Sequence, residues 1–232
     1  YTWGVPVSTP LGVLTGTTGT NQSSITQTLA NATLNPATAT YTITPSIGGT
    51  CPGASFTLTV TVNPVPVVAD QTLAAVCSGT AFSYIPTGVP VGTTYSWLTP
   101  VLTPASGLTG GSALTGQSSI SQILSSTNNI ANTAVYTVTP SSNSCVGASF
   151  LLTVPVNPTP IVSAQTATIC SGNAFTVTPT PVPTGTTYTW SAPVIIPAGA
   201  ISGAIAQTTG VASIGAILSN TTTTVAQAVY TV

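Results

Sequence analysis

The chain repeats itself, and this constrains its fold more than any other feature. Tyr1-Thr2-Trp3 returns as Tyr95-Ser96-Trp97 and again as Tyr188-Thr189-Trp190, at spacings of 94 and 93 residues. Tyr41-Thr42-Ile43-Thr44-Pro45 returns as Tyr136-Thr137-Val138-Thr139-Pro140, then as Tyr230-Thr231-Val232. Gly53-Ala54-Ser55-Phe56 matches Gly147-Ala148-Ser149-Phe150, and Val62-Asn63-Pro64 matches Val156-Asn157-Pro158. Cys51 matches Cys145, and Cys77 matches Cys170 within Cys-Ser-Gly. Six landmarks on one period identify a tandem array. The unit is about 94 residues, so the 232 residues hold about two and a half copies. Residues 65–158 make one complete unit. Residues 1–64 lack the first strands of a unit, and residues 159–232 lack the last. A window cut from a longer array is therefore expected. Complementation of the broken units between neighbouring chains would leave residues 1–45 or 188–232 as a surplus copy.

Within a unit the clearest element is Phe56-Thr57-Leu58-Thr59-Val60-Thr61-Val62, where apolar residues and Thr alternate without a fault. Period two with β-branched residues predicts a half-buried strand, with Phe56, Leu58, Val60 and Val62 facing a core. Its counterpart Phe150–Val156 carries Pro155 on the outward set, which predicts an edge position or a ladder break there. Further strands are expected at Thr93–Trp97, Ala81–Ile85, around Val67–Val76, at Ile120–Leu124 and around Tyr136 and Val138. Ser119–Leu124 also fits a helix. Gly and Pro punctuate between them. About seven short strands, with a Trp early and a Tyr late, predict an all-β, immunoglobulin-like β-sandwich. Trp97 and Tyr136 read as core aromatics, with a ligand platform as the sharper alternative.

Composition narrows the function. Lys, Arg and His total zero, and Asp70 is the sole acidic side chain, where an ordinary domain is about 25 % charged. General acid–base and triad chemistry need residues that are not here, so no enzyme is expected. Zinc sites need Cys, His or carboxylate clusters, and calcium loops need several carboxylates; no metal or cofactor is expected. Nucleic acid binding needs cations to neutralise phosphates. A mean hydropathy of +0.51 with a net charge of −1 does not fit disorder. No apolar run is long enough to span a membrane. A structural, adhesive or binding role remains.

Asp70 reads as a solvated surface group, since its counterpart one unit on is Ala164. A neutral surface lets fibres lie side by side without repulsion, and near-zero charge favours association. Stability is expected to be nearly flat from about pH 4 to 9. The Asn-Pro-x-Pro stretches at Asn63–Pro66 and Asn157–Pro160 favour extended links and a semi-rigid rod, at about 40 Å per unit. Sequons at Asn21, Asn31 and Asn220 are no more than composition predicts.

Each unit carries two cysteines. Pairing within a unit joins Cys77 to Cys145; pairing across units joins Cys51 to Cys77 and Cys145 to Cys170. Cys51 precedes a strand about 23 Å long, after which the chain moves on, so Cys77 would have to return to reach it. In a sandwich the first strand lies beside the last, which favours a Cys77–Cys145 bond, with Cys51 and Cys170 bonded outside the window. A disulfide implies an oxidising, extracytoplasmic location.

The elements Val76–Gly79, Thr93–Trp97, Ser119–Leu124, Val135–Pro140, Cys145–Gly147 and Val154–Pro158 resemble the PKD-like repeats of Bacteroidota giant surface adhesins, including those similar to the gliding-motility adhesin SprB. The resemblance covers the whole chain. It implies export, often by the type IX system, a cell-surface location and a stalk or filament role, and it transfers no catalytic residue. The sequence thus points to a structural segment of an extracellular filament or adhesin. Its partners would be neighbouring repeats and, by lateral or head-to-tail association, other copies. The second reading is a carbohydrate-binding module, whose loops or exposed Tyr residues hold surface glycans.

Overall fold

The computed structural model describes residues 1–232, and every regular element in it is a strand. The middle unit is a closed β-sandwich. One sheet orders its strands Leu114–Gln117, Thr94–Trp97, Asn132–Ser142, Phe150–Asn157 and Gln71–Thr72, with Val76–Cys77 continuing beside the fourth. The other layer pairs Ala81–Tyr84 with Ile120–Ile123. Ser119–Leu124 is thus a strand, not a helix: Gln122 pairs with Phe82 across an antiparallel ladder.

Alternation drives this packing. Along Asn132–Ser142 every second residue is buried, as is every second residue along Phe150–Asn157, so one face of each strand meets the core. Thirteen buried residues form that core, among them Phe82, Trp97, Ile120, Tyr136, Phe150 and Leu152. Trp97 and Tyr136 meet edge to face with centroids 6.4 Å apart, a favourable aromatic geometry. They are core aromatics, not a ligand platform.

The first strands of the middle unit run parallel to its last. Gln71 and Thr72 pair with Leu152 and Thr153; Val76 and Cys77 pair with Val156 and Asn157. The ladder is interrupted between these two pieces, opposite Val154 and Pro155. Proline has no N–H to donate, so the expected break falls where the sequence put it. Asp70 stands at the start of this ladder, where its Oδ1 accepts the Leu151 amide at 2.7 Å. It is exposed, yet it caps a backbone donor on the last strand.

The flanking units show what this ladder does. In the first unit Phe56–Val62 pairs with Ala37–Thr44, but nothing in the chain pairs along its other edge. Leu58, Val60 and Val62 pack on the core as expected. Phe56 does not: it is 45 % exposed, whereas its counterpart Phe150 is 2 % exposed. In the third unit Ile161–Cys170 carries the sequence of the opening strands without a final strand to pair with, and it forms none.

Candidate functional site

The candidate sites are three: a polar network inside the first two units, the junctions between units, and the cysteines.

The network begins at the tryptophan. Trp97 Nε1 donates to Ser112 O at 3.0 Å. Gln122 grips the same residue, with Nε2 donating to Ser112 O at 2.7 Å and Oε1 accepting from Ser112 N at 3.1 Å. The same Oε1 accepts from the Tyr136 hydroxyl at 2.8 Å. The first unit repeats it: Trp3 Nε1 donates to Thr17 O at 3.0 Å, Thr17 N to Gln27 Oε1 at 3.1 Å, and Tyr41 Oη to Gln27 Oε1 at 2.7 Å. Buried polar groups need such partners. In the third unit Trp190 Nε1 still donates to Ile205 O at 2.9 Å. There, however, the glutamine position is Ala216, and the Tyr230 hydroxyl is buried without a partner. Burial raises the pKa of Tyr41, Tyr136 and Tyr230 above the ordinary tyrosine range. Tyr95 is raised by burial first and by Tyr84 second.

The junctions are built from the Asn-Pro-x-Pro stretches. Pro64 and Pro66 are fully buried. Asn63 Nδ2 donates to Asn143 O at 3.4 Å, tying the end of the first unit to a turn of the second. That turn has two successive residues at positive φ, Asn143 at 46° and Ser144 at 66°, the backbone of a tight hairpin. Beyond the second unit, Thr159 Oγ1 donates to Ser78 O at 3.4 Å. A groove of about 410 Å³ lies at this second junction, lined by Asn129, Asn157, Pro160, Pro183 and Thr186 among others. It holds no aromatic ring and no charge.

The sequon asparagines at two sites are engaged in turns. Asn31 Nδ2 donates to Asn35 O and Val62 O, and Asn220 Nδ2 donates to Thr224 O.

All four cysteines are free thiols; Cys51, Cys77 and Cys170 are exposed and Cys145 is half-buried. The Cys77–Cys145 bond expected from the sequence requires correction. Cys77 pairs with Asn157, at the end of the last strand. Cys145 pairs with Ser142, beyond the start of that strand. Asn132 faces Val156 and Ser142 faces Cys145, so the ten residue steps of Asn132–Ser142 separate the two thiols, about 33 Å at a strand's rise. A disulfide needs Cα atoms within about 7 Å. The first and last strands are neighbours, as the sandwich requires, but they run parallel, which sends Cys77 to the far end. The two cross-unit pairings within the chain fail for the same reason. Cys51 lies in the turn at the opening end of the first unit, and Cys77 at the closing end of the second.

These features define a tandem immunoglobulin-like β-sandwich array, held together at proline-rich joints. The chain belongs to the PKD-like domain family, whose family model matches it three times, at residues 1–66, 74–160 and 167–232. No curated protein matches the chain. No helix is long and apolar enough to cross a membrane.

Proposed function

We propose that the chain is a structural repeat segment of an extracellular filament or giant cell-surface adhesin, serving as stalk or fibre. The observation that carries this reading is the joint: buried Pro64 and Pro66 and the Asn63–Asn143 hydrogen bond fix one unit against the next. A joint of this kind transmits orientation along an array, and repeats that touch only their neighbours build length. The surface contributes too. With one charged side chain in 232 residues, copies meet without electrostatic repulsion, which suits lateral or head-to-tail association into fibres. The resemblance to giant surface adhesins supports an adhesion or gliding role, export by the type IX system and a cell-surface location as parts of this reading. The carbohydrate-binding alternative has less support, because Trp3, Trp97 and Trp190 are all buried.

Small-angle X-ray scattering on the full chain tests the rod. The expected result is an elongated particle with a maximum dimension of roughly 100–120 Å, from about 40 Å per complete unit. A compact particle near the dimensions of a single globule overturns the stalk reading and turns attention to glycan binding.

A further inference from the structure

The cysteines sit at the two ends of each unit, and the ends face each other across a junction. Cys77 stands at the closing end of the middle unit, opposite Asn157 in the parallel ladder, where Ser78 N donates to Asn157 O at 2.8 Å. Neighbouring strands are about 4.8 Å apart, so a cysteine at this position lies one strand width from that asparagine. Cys145 stands at the opening end, at the base of the Asn143–Ser144 turn. The first junction shows what meets what. Asn63, which holds the position of Asn157 in the unit before, donates to Asn143 O at 3.4 Å. The same asparagine position thus pairs with the closing-end cysteine in the middle unit and, in the first unit, reaches the turn two residues from Cys145 of the next.

We propose that consecutive units of this array are joined by a disulfide across each junction, between the closing-end cysteine of one unit (the Cys77 or Cys170 position) and the opening-end cysteine of the next (the Cys51 or Cys145 position). The chain holds neither junction's pair complete. Residues 1–64 contain no counterpart of Cys77, and residues 159–232 contain no counterpart of Cys145. All four thiols are accordingly free, and three are exposed for reaction. A bond across the joint also explains why the middle unit carries two cysteines about 33 Å apart that cannot bond to each other.

The chemistry is a two-electron oxidation of two thiols by a disulfide oxidant. One thiolate attacks the oxidant to form a mixed disulfide, releasing one reduced thiol. The second cysteine thiolate then displaces the other half. Two protons and two electrons leave with the two reduced thiols, and one S–S bond forms between units. The bond would close a loop of well over 100 residues, where the chain-entropy gain is largest. The inference rests on the tandem array, and on the extracellular reading only for the supply of oxidant.

The test is a chain in which residues 65–158 occur twice in succession between residues 64 and 159, so that one junction has both cysteines. In one variant only Cys77 of the first copy and Cys145 of the second remain, the others being changed to Ser. In a second variant the two remaining cysteines are Cys77 and Cys145 of the same copy. Each is equilibrated with reduced and oxidised glutathione, quenched with acid, and mapped by peptic digestion and mass spectrometry. The expected result is a cross-copy link in the first variant, with loss of both thiols and of two hydrogens from the monomer mass, and no link in the second. Free or glutathionylated thiols in the first variant, or a link in the second, overturn the proposal. The duplicated chain with all its cysteines is mapped in parallel. There a Cys77–Cys145 link between copies supports the proposal, and a link within one copy or between molecules overturns it. Because the oxidant is supplied, failure here speaks against the junction geometry and leaves the extracellular reading standing.

Discussion

The Tyr136 hydroxyl donates to Gln122 Oε1 at 2.8 Å across the core of the middle unit, joining the two layers of the sandwich. Gln122 also clamps Ser112, to which Trp97 donates, so one side chain ties tyrosine, tryptophan and loop together. The third unit has Ala216 in that place and leaves the Tyr230 hydroxyl buried and alone. Gln122→Ala should reproduce this defect and destabilise the middle unit by about 1–3 kcal/mol, the cost of an unsatisfied buried hydroxyl. Ala216→Gln should do the reverse in the third unit. Chemical denaturation, followed unit by unit with peptic hydrogen exchange, reads both. No loss on Gln122→Ala would show that the network contributes nothing.

The same burial sets the pH response. Tyr136 has its pKa raised by burial, as have Tyr41 and Tyr230. In the unfolded chain these tyrosines titrate near 10. Above that pH the unfolded state loses protons that the folded state keeps, so unfolding is favoured as pH rises. Their stabilisation is fully present below about pH 10 and is lost above it. The melting temperature should therefore be nearly level up to about pH 9 and fall beyond pH 10. Tyr136→Phe should soften that fall. Thermal melts across pH 5–11.5 check both, and a curve still level at pH 11 would contradict the assignment.

Gly147 is required by the joint. A Cβ there would stand 2.1 Å from Pro66 O, a backbone atom that cannot move aside. The equivalent Gly53 would meet Pro45 Cγ at 3.2 Å and Pro45 O at an ordinary 3.7 Å. Gly147→Ala should destabilise the middle unit by roughly 1–3 kcal/mol, in the range of strained or overpacked sites, and Gly53→Ala should be tolerated. Equal losses in equilibrium denaturation would remove the joint from the explanation.

Thiol reactivity should follow exposure. Cys51, Cys77 and Cys170 are exposed and Cys145 is half-buried. Titration of the reduced native chain with a chromogenic disulfide should give three fast thiols and one slower one. Dilute oxidation should leave Cys77 and Cys145 unlinked to each other.

Hydrogen exchange should separate two segments of like sequence. Val76 and Cys77 are laddered to the last strand, while Ile169 and Cys170 form no strand. Amides of 161–170 should exchange orders of magnitude faster than those of Leu73 and Ser78, which bond to Thr153 O and Asn157 O, because unbonded, exposed backbone has little opening cost. Equal protection would mean that the third unit's opening segment is paired in solution.

Much of this architecture was legible in the sequence. The alternation in Phe150–Val156 gave the strand, its buried face and the break at Pro155, because period two is a direct consequence of the pleat. Trp97 and Tyr136 fell in strand patterns and are core. The Gln122 network went unread, although Ser24–Leu29 and Ser119–Leu124 share Ser-Ile-x-Gln-x-Leu and the third unit has Ala216 in place of the glutamine. Strand direction was not legible. Nothing in the residues of Val67–Cys77 says whether they run with or against their neighbour, and that choice decided the fate of the Cys77–Cys145 pair. Nor could periodicity reveal that Phe56 lacks cover, since burial depends on which strand lies alongside.

The parallel ladder between the opening and closing strands has a mechanical consequence. The chain enters the middle unit at the start of Gln71–Thr72 and leaves at the end of Phe150–Asn157, and these strands lie side by side pointing the same way. Tension along the array pulls them in opposite senses along their length. Their hydrogen bonds are then loaded together in shear, instead of being unzipped one after another. A unit wired in this way resists stretching with its whole ladder at once, and an array of such units yields only when a complete ladder gives way.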